Sequence, residues 1–213
     1  EKVFLRPSVK TKLMLNVGNP GASFALQKIP NEGIGLARME FIIASIIKIH
    51  PKATVEYKTL CRSVKTQIKK IIQGYTDPVS YFLEKLTHGI SMIAASVFPK
   101  KVILRLSDFK TNEYRRLIGG TYFEEKEENP MLGFRGATRY LSPSFQECFA
   151  LECLAIKKAR EELGFKNIDI MVPFVRSVEE ASEVIKLLEK HGLKRTPELR
   201  IIMMCEIPVN ALM

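Results

Sequence analysis

The fold is most constrained by five short apolar runs that hardly alternate with polar residues: 13–17 (LMLNV), 34–37 (IGLA), 102–106 (VILRL), 168–175 (IDIMVPFV) and 201–205 (IIMMC). A strand with one wet face alternates, whereas a strand covered on both faces does not, so these runs fit a parallel sheet clothed by helices. Segments with helical period lie between them. Ser144 and Glu147 have the spacing of a capping box ahead of FALECLAIKKAREEL, which Gly164 would close; Ser177 and Glu180 do the same for VIKLLEKHG, which ends at Gly192. Asp77 before Pro78 marks the start of another long helix. Strands alternating with helices predict an α/β fold with right-handed crossovers. Residues 46–99, polar and helix-patterned, form either a helical insert between the second and third strands or one long connection.

Composition removes several classes of function. With 46% hydrophobic and 26% charged residues the chain can build an ordinary core. No apolar run approaches the ~20 residues of a membrane span, and the first residues lack a secretory pattern, so a cytoplasmic protein is expected. Cys61, Cys148, Cys153 and Cys205 include no C-x-x-C pair and no histidine at a zinc spacing; reduced, mostly buried thiols are expected. Net charge is +10, from 33 basic and 23 acidic residues. The basic residues are spread out, the densest cluster at 65–70 reads as the wet face of a helix, and no aromatics are interleaved with it, which argues against nucleic-acid binding.

Parallel barrels assemble their sites where strands end. Arg38 follows GIGLA, Arg105 interrupts VILRLSDF with Asp108 just beyond, Arg135 follows MLGF, and Glu206 follows IIMMC. Burying any one of these alone costs several kcal/mol, so each needs a partner or a ligand. Singly, each arginine reads as an ion-pair partner for Asp108, Glu113 or Glu206. Together, three arginines at one rim suit a phosphate and a carboxylate, which guanidinium forks bind bidentately, and leave Glu206 for a divalent cation. Gly133 and Gly136 around Arg135, and Gly33 and Gly35 ahead of Arg38, are expected to let backbone approach the ligand. No nucleotide-binding glycine spacing is present.

The succession "LNVGNP", "GIGLARMEFI", "RLSDFKTNEYRRLIGG", "ENPMLGFRGATRY", "IMVPFVR" and "MCEIP" resembles the C-terminal phosphoenolpyruvate/pyruvate-binding domain of the phosphoenolpyruvate-utilising enzymes. That family comprises phosphoenolpyruvate synthase (pyruvate, water dikinase), pyruvate, phosphate dikinase and Enzyme I of the sugar phosphotransferase system, and "RLSDFKTNEY" favours the first. The resemblance implies a (β/α)8 TIM-type barrel. It implies conversion of pyruvate, ATP and water to phosphoenolpyruvate, AMP and phosphate through a phosphohistidine on a mobile domain, with Mg²⁺ beside the enolate. By motif, Arg105, Arg135 and Arg38 are matched to substrate-binding arginines and Glu206 to a Mg²⁺ ligand.

The family's second metal ligand, its proton-transfer cysteine and its phosphohistidine motif have no match here. His50, His88 and His191 are expected at the surface, and Cys205 does not match the cysteine. Counting "FRGATRY" as a strand gives about six of eight, so a truncated fragment spanning 1–213, inactive alone, is expected. Partners implied are pyruvate or phosphoenolpyruvate, the ATP-binding and phosphohistidine domains of the intact protein, and a possible homodimer. Alternatives are a fragment of a pyruvate, phosphate dikinase and a non-catalytic module that binds small anions or serves assembly.

Overall fold

The computed structural model describes residues 9–128 and 133–213. Each of the five apolar runs supplies a strand: β1 (Leu15–Val17), β2 (Gly33–Arg38), β3 (Lys101–Arg105), β4 (Ile168–Val172) and β5 (Ile201–Met203). They pair in parallel in the order β1-β2-β3-β4-β5, and the sheet is open. Among the described residues "FRGATRY" gives no strand. Residues 133–136 form a loop and the chain then enters a short helix, while Met131 and Leu132 lie outside the described residues.

The helices are α1 (Pro20–Leu26), α2 (Met39–Ile42, continued by a π turn Ile43–Ile47), α3 (Pro51–Val55), α4 (Arg62–Ile71) and α5 (Pro78–Ser96). They are followed by α6 (Thr111–Arg116), α7 (Ala137–Leu141), α8 (Gln146–Lys157, continued by a π turn Lys158–Glu162), α9 (Val178–Lys190) and α10 (Val209–Leu212). The long α5 starts where expected. Pro78 occupies the first turn and Asp77 Oδ1 accepts the amides of Val79 at 2.8 Å and Ser80 at 2.9 Å. Its buried residues Phe82, Leu86, Ile90 and Ile93 recur at helical spacing and seat it on β3 between α1 and α8. The end of the 46–99 stretch is therefore a helix of the main layer, sharing one core with Ile34, Val102, Ile168 and Ile170. Burial of side chains of this size contributes about 1.5–3 kcal/mol each.

Other caps differ from expectation in instructive ways. Ser177 caps α9 through the Glu180 amide at 3.1 Å, but the Glu180 carboxylate turns away to the Arg176 amide and the Thr138 hydroxyl, both at 2.6 Å. Ser144 does not cap α8. Its hydroxyl pairs with that of Ser142 at 2.9 Å and Phe145 stands at the cap position.

Glycine serves the sheet more than a ligand. Gly33 has φ +120°, and a Cβ there would lie 2.3 Å from the Lys101 carbonyl of β3. Gly136 has φ +61°, and its Cβ would lie 2.6 Å from the Pro173 carbonyl just beyond β4. Only glycine lets these backbones touch. Cys148 and Cys153 are buried as expected, whereas Cys61 and Cys205 are exposed because the first starts α4 and the second follows β5. Among the described residues no helix is long and apolar enough to cross a membrane.

Candidate functional site

Strand register does the first part of the assembly. Arg38 stands opposite Arg105 where β2 and β3 end, so two cations lie side by side at one rim. Like charges at that spacing repel, and carboxylates intervene. Glu40, two residues past Arg38 in α2, pairs with Arg105 Nη2, and Asp108 Oδ2 lies 3.2 Å from Arg105 Nη1. Asp108 also takes Arg135, its Oδ1 accepting from Nε at 2.9 Å and Nη2 at 2.8 Å. One carboxylate thus bridges two guanidiniums brought from β3 and from the 133–136 loop.

This cluster is mostly shielded from water: Glu40, Arg105, Asp108 and Arg135 are 8%, 9%, 5% and 8% exposed. Burial raises the Asp108 carboxyl above the ordinary aspartate range, although Arg105 and Arg135 pull it back down. Burial likewise raises Glu40, partly offset by Arg105. For Arg105, the two carboxylates outweigh the opposing effect of burial, so its pKa rises and the group remains a cation. Two buried atoms remain unpaired, Glu40 Oε2 and Arg105 Nε. Unpaired buried atoms also occur away from this cluster, at Thr87, Ser91 and Asn167 among others, so the two here count only together with the charges around them.

The cluster opens into a cavity of about 620 Å³, lined also by Arg38, Lys110, Arg116 and Glu206. Two aromatic rings present cations to it. The Arg135 guanidinium lies 4.1 Å from the Phe174 ring centre and that of Arg38 lies 4.2 Å from Phe41. The Arg38 side chain makes no ion pair with a described residue, so its charge is available to a ligand.

Glu206 reaches the same cavity from beyond β5 and is exposed. Its Oε1 accepts the Phe174 amide at 2.8 Å, and Asn210 braces the turn by accepting from the amides of Glu206 and Ile207, each at 3.2 Å. Among the described residues no group of three or more His, Cys, Asp or Glu could hold a metal, and Glu206 brings a single carboxylate to the cavity.

All four residues singled out by sequence thus meet at one cavity. Glu40 escaped notice because an acidic residue at a helix start is so common; its position two residues from Arg38 was the available signal. Both glycine pairs are expected from sequence to face the ligand, whereas Gly33 lets β2 approach β3 and Gly136 lets the start of α7 approach Pro173. His50 corrects the surface expectation: it is 0% exposed and its Nε2 lies 3.0 Å from Glu124 Oε1, while Nδ1 accepts the Lys52 amide. His88 is exposed and His191 half-buried.

A family profile described as PEP-utilising enzyme, PEP-binding domain, matches residues 2–213. The chain belongs to that family. This PEP-binding domain is 56% identical over 208 residues to phosphoenolpyruvate synthase of Pseudomonas aeruginosa, covering 97% of the chain and 26% of that relative. It is 50% identical to phosphoenolpyruvate synthase of Escherichia coli, again over 97% of the chain and 26% of the relative. A probable phosphoenolpyruvate synthase of Staphylothermus marinus is 41% identical over 96% of the chain and 22% of its own length. The chain spans about a quarter of the length of these curated relatives.

Proposed function

We propose that this PEP-binding domain holds pyruvate and phosphoenolpyruvate in the 620 Å³ cavity and, within the intact protein, serves the pyruvate, water dikinase reaction. The observation that carries this reading is the convergence of Arg38, Arg105 and Arg135 on one cavity with two buried polar atoms unsatisfied beside them. The runs of parallel strands in simple consecutive order support a (β/α)8 barrel, since doubly wound sheets reverse order at a switch point.

In this reading Arg105 and Arg135 present planar forks to the phosphoryl oxygens, and Arg38 adds charge from the neighbouring strand end. Asp108 and Glu40 hold the first two guanidiniums in place before the ligand arrives, so little reorganisation is left for the moment of transfer. Glu206 would supply a carboxylate oxygen to Mg²⁺, which when bound adds positive charge beside the enolate oxygen of pyruvate. Phosphoryl delivery would fall to a phosphohistidine domain and an ATP-binding domain elsewhere in the intact protein, whose site is cytoplasmic.

The test is Arg135→Ala in the full-length protein, with pyruvate-dependent release of AMP from ATP as readout. Turnover should fall by roughly 10²-fold or more, the scale of losing one preorganised charge contact at a transition state. Wild-type turnover in a folded variant would remove Arg135 from this role.

A further inference from the structure

The loop that carries Arg135 has its carbonyl groups taken, one after another, by two other arginines. Arg176 Nη2 donates to Gly133 O at 3.0 Å, Arg139 Nε donates to Phe134 O at 3.1 Å, and Arg176 Nη1 donates to Arg135 O at 3.3 Å. Neither Arg139 nor Arg176 lines the cavity. We infer that Arg139 and Arg176 are positioning residues, a pair of guanidinium clamps that fix the 133–136 backbone and so aim the Arg135 side chain at the ligand. The inference rests on the reading of Arg135 as a ligand-binding residue.

The two clamps are anchored in different ground. Arg139 is 1% exposed, with Nη1 and Nη2 on Glu124 at 2.6 and 3.0 Å and its guanidinium stacked near Tyr114 and Phe134 at 4.5 and 4.3 Å. Glu124 is held in turn by His50. Arg176 works from the far side, where β4 ends. Its Nη1 also reaches Phe174 O at 3.0 Å and Thr138 Oγ1 at 2.7 Å, tying the loop to the residue whose ring supports Arg135. Glu180 completes this side by accepting from the Arg176 amide and the Thr138 hydroxyl, both at 2.6 Å. A loop without regular hydrogen bonds would sample many conformations, and a misplaced guanidinium loses bidentate geometry within an ångström. Saturating successive carbonyls from both sides removes that freedom.

Arg176 is the residue to test, because removing Arg139 strands the buried Glu124. Full-length wild type and variants are titrated with oxalate in the presence of Mg²⁺ by calorimetry, and amide exchange across 133–138 is followed by mass spectrometry. Arg135→Ala should weaken oxalate binding about tenfold or more, and Arg176→Gln about three- to tenfold with faster exchange across 133–138. Arg176→Lys, whose single ammonium cannot span both carbonyls, should fall between Arg176→Gln and wild type. Unchanged affinity in Arg176→Gln overturns the inference and leaves the Arg135 reading standing. Weaker binding without faster exchange also overturns it, since the effect would then bypass the loop. Unchanged affinity in Arg135→Ala would instead sink the binding reading, and the inference with it. If Arg176→Gln does not fold, Thr138→Val removes one Nη1 partner at constant shape. It should move both readouts in the same direction by a smaller factor, and no change in either counts against the clamp.

Discussion

Arg135 and Arg139 lie four residues apart, and both are largely buried, at 8% and 1% exposed. Each stacks on an aromatic ring and each takes a carboxylate. Their surroundings nonetheless differ in completeness. Around Arg139 every group is answered: Nε by Phe134 O, Nη1 by Glu124, Nη2 by Glu124 and by Thr111, with His50 completing Glu124. Around Arg135 the shared carboxylate of Asp108 is divided between two cations and the cluster keeps orphaned atoms at an open cavity. Breaking a closed network of buried charge is costly, and in the proposed reading a ligand would complete the unfinished one at the cavity.

Titration behaviour separates the two clusters in the same sense. Burial raises Glu124, but the hydrogen bonds from His50 and Arg139 outweigh it and leave its carboxyl below the usual glutamate range. Burial lowers His50 and keeps its imidazole neutral, with Glu124 only partly offsetting that. Both folded-state values lie below their unfolded ones, so the stability they contribute is present at neutral pH and is lost as pH falls, first through the His50 range and then through that of Glu124. Asp108 and Glu40 are raised instead, so their contribution has the opposite sign and diminishes as pH rises past the ordinary carboxylate range.

The largest expected effect comes from opening the closed cluster. Arg139→Leu leaves Glu124 buried without its bidentate partner, and breaking a buried pair on one side costs about 3–5 kcal/mol. Urea unfolding of wild type and variant checks it. A loss below about 1 kcal/mol would mean that water reaches Glu124 and that the cluster is no more closed than the rim.

A further buried carboxylate, one that forms no ion pair with a described residue, sharpens the contrast. Glu152 is 0% exposed, its Oε2 accepts the Ser107 amide at 3.3 Å and its Oε1 takes the Ser107 hydroxyl. Burial pushes its carboxyl up to about 7. A raised folded-state value favours the protonated form, so the stabilisation is full below the unfolded value of 4.5 and is lost as pH rises through about 7. At about 1.4 kcal/mol per unit that window is worth up to about 3 kcal/mol. Glu152→Gln keeps the shape and cannot ionise, so relative to wild type it should gain about 2–3 kcal/mol between acid and mildly alkaline pH. Unfolding midpoints measured at both ends check this, and parallel pH profiles would show that Glu152 is ionised in the fold.

The strands were legible because a buried parallel strand must be apolar on both faces, and nothing distant can hide that pattern. The convergence of Arg38 and Arg105 follows from strand ends sharing one rim. What sequence hid was set by long-range packing. His50 sits beside lysines along the chain, yet its partner Glu124 is 74 residues away, so local composition misjudged its burial. "FRGATRY" resembles a strand in composition, but Gly136 at positive φ turns the backbone against Pro173 and starts α7. Arg139 and Arg176 escaped for a related reason. Arg139 finds its carboxylate in Glu124, 15 residues away, and the Arg176 guanidinium binds mainly backbone carbonyls, which carry no sequence signal.

The smallest expected effect is on stability at the rim. Arg135→Ala removes one of two cations from Asp108 and the stack on Phe174, while Arg105 stays 3.2 Å from the carboxylate. Asp108 also has an escape that Glu124 lacks: its carboxyl is already raised by burial, and with Arg135 gone it rises further and can take up a proton. The loss should therefore be about 1–2 kcal/mol near neutral pH and smaller in acid, where Asp108 is protonated in both proteins and only the stack on Phe174 is lost. Urea unfolding at two pH values resolves the difference. If Arg135→Ala instead costs as much as Arg139→Leu at both, the rim is as closed as the interior, and the cluster is a structural ion network that happens to border a cavity.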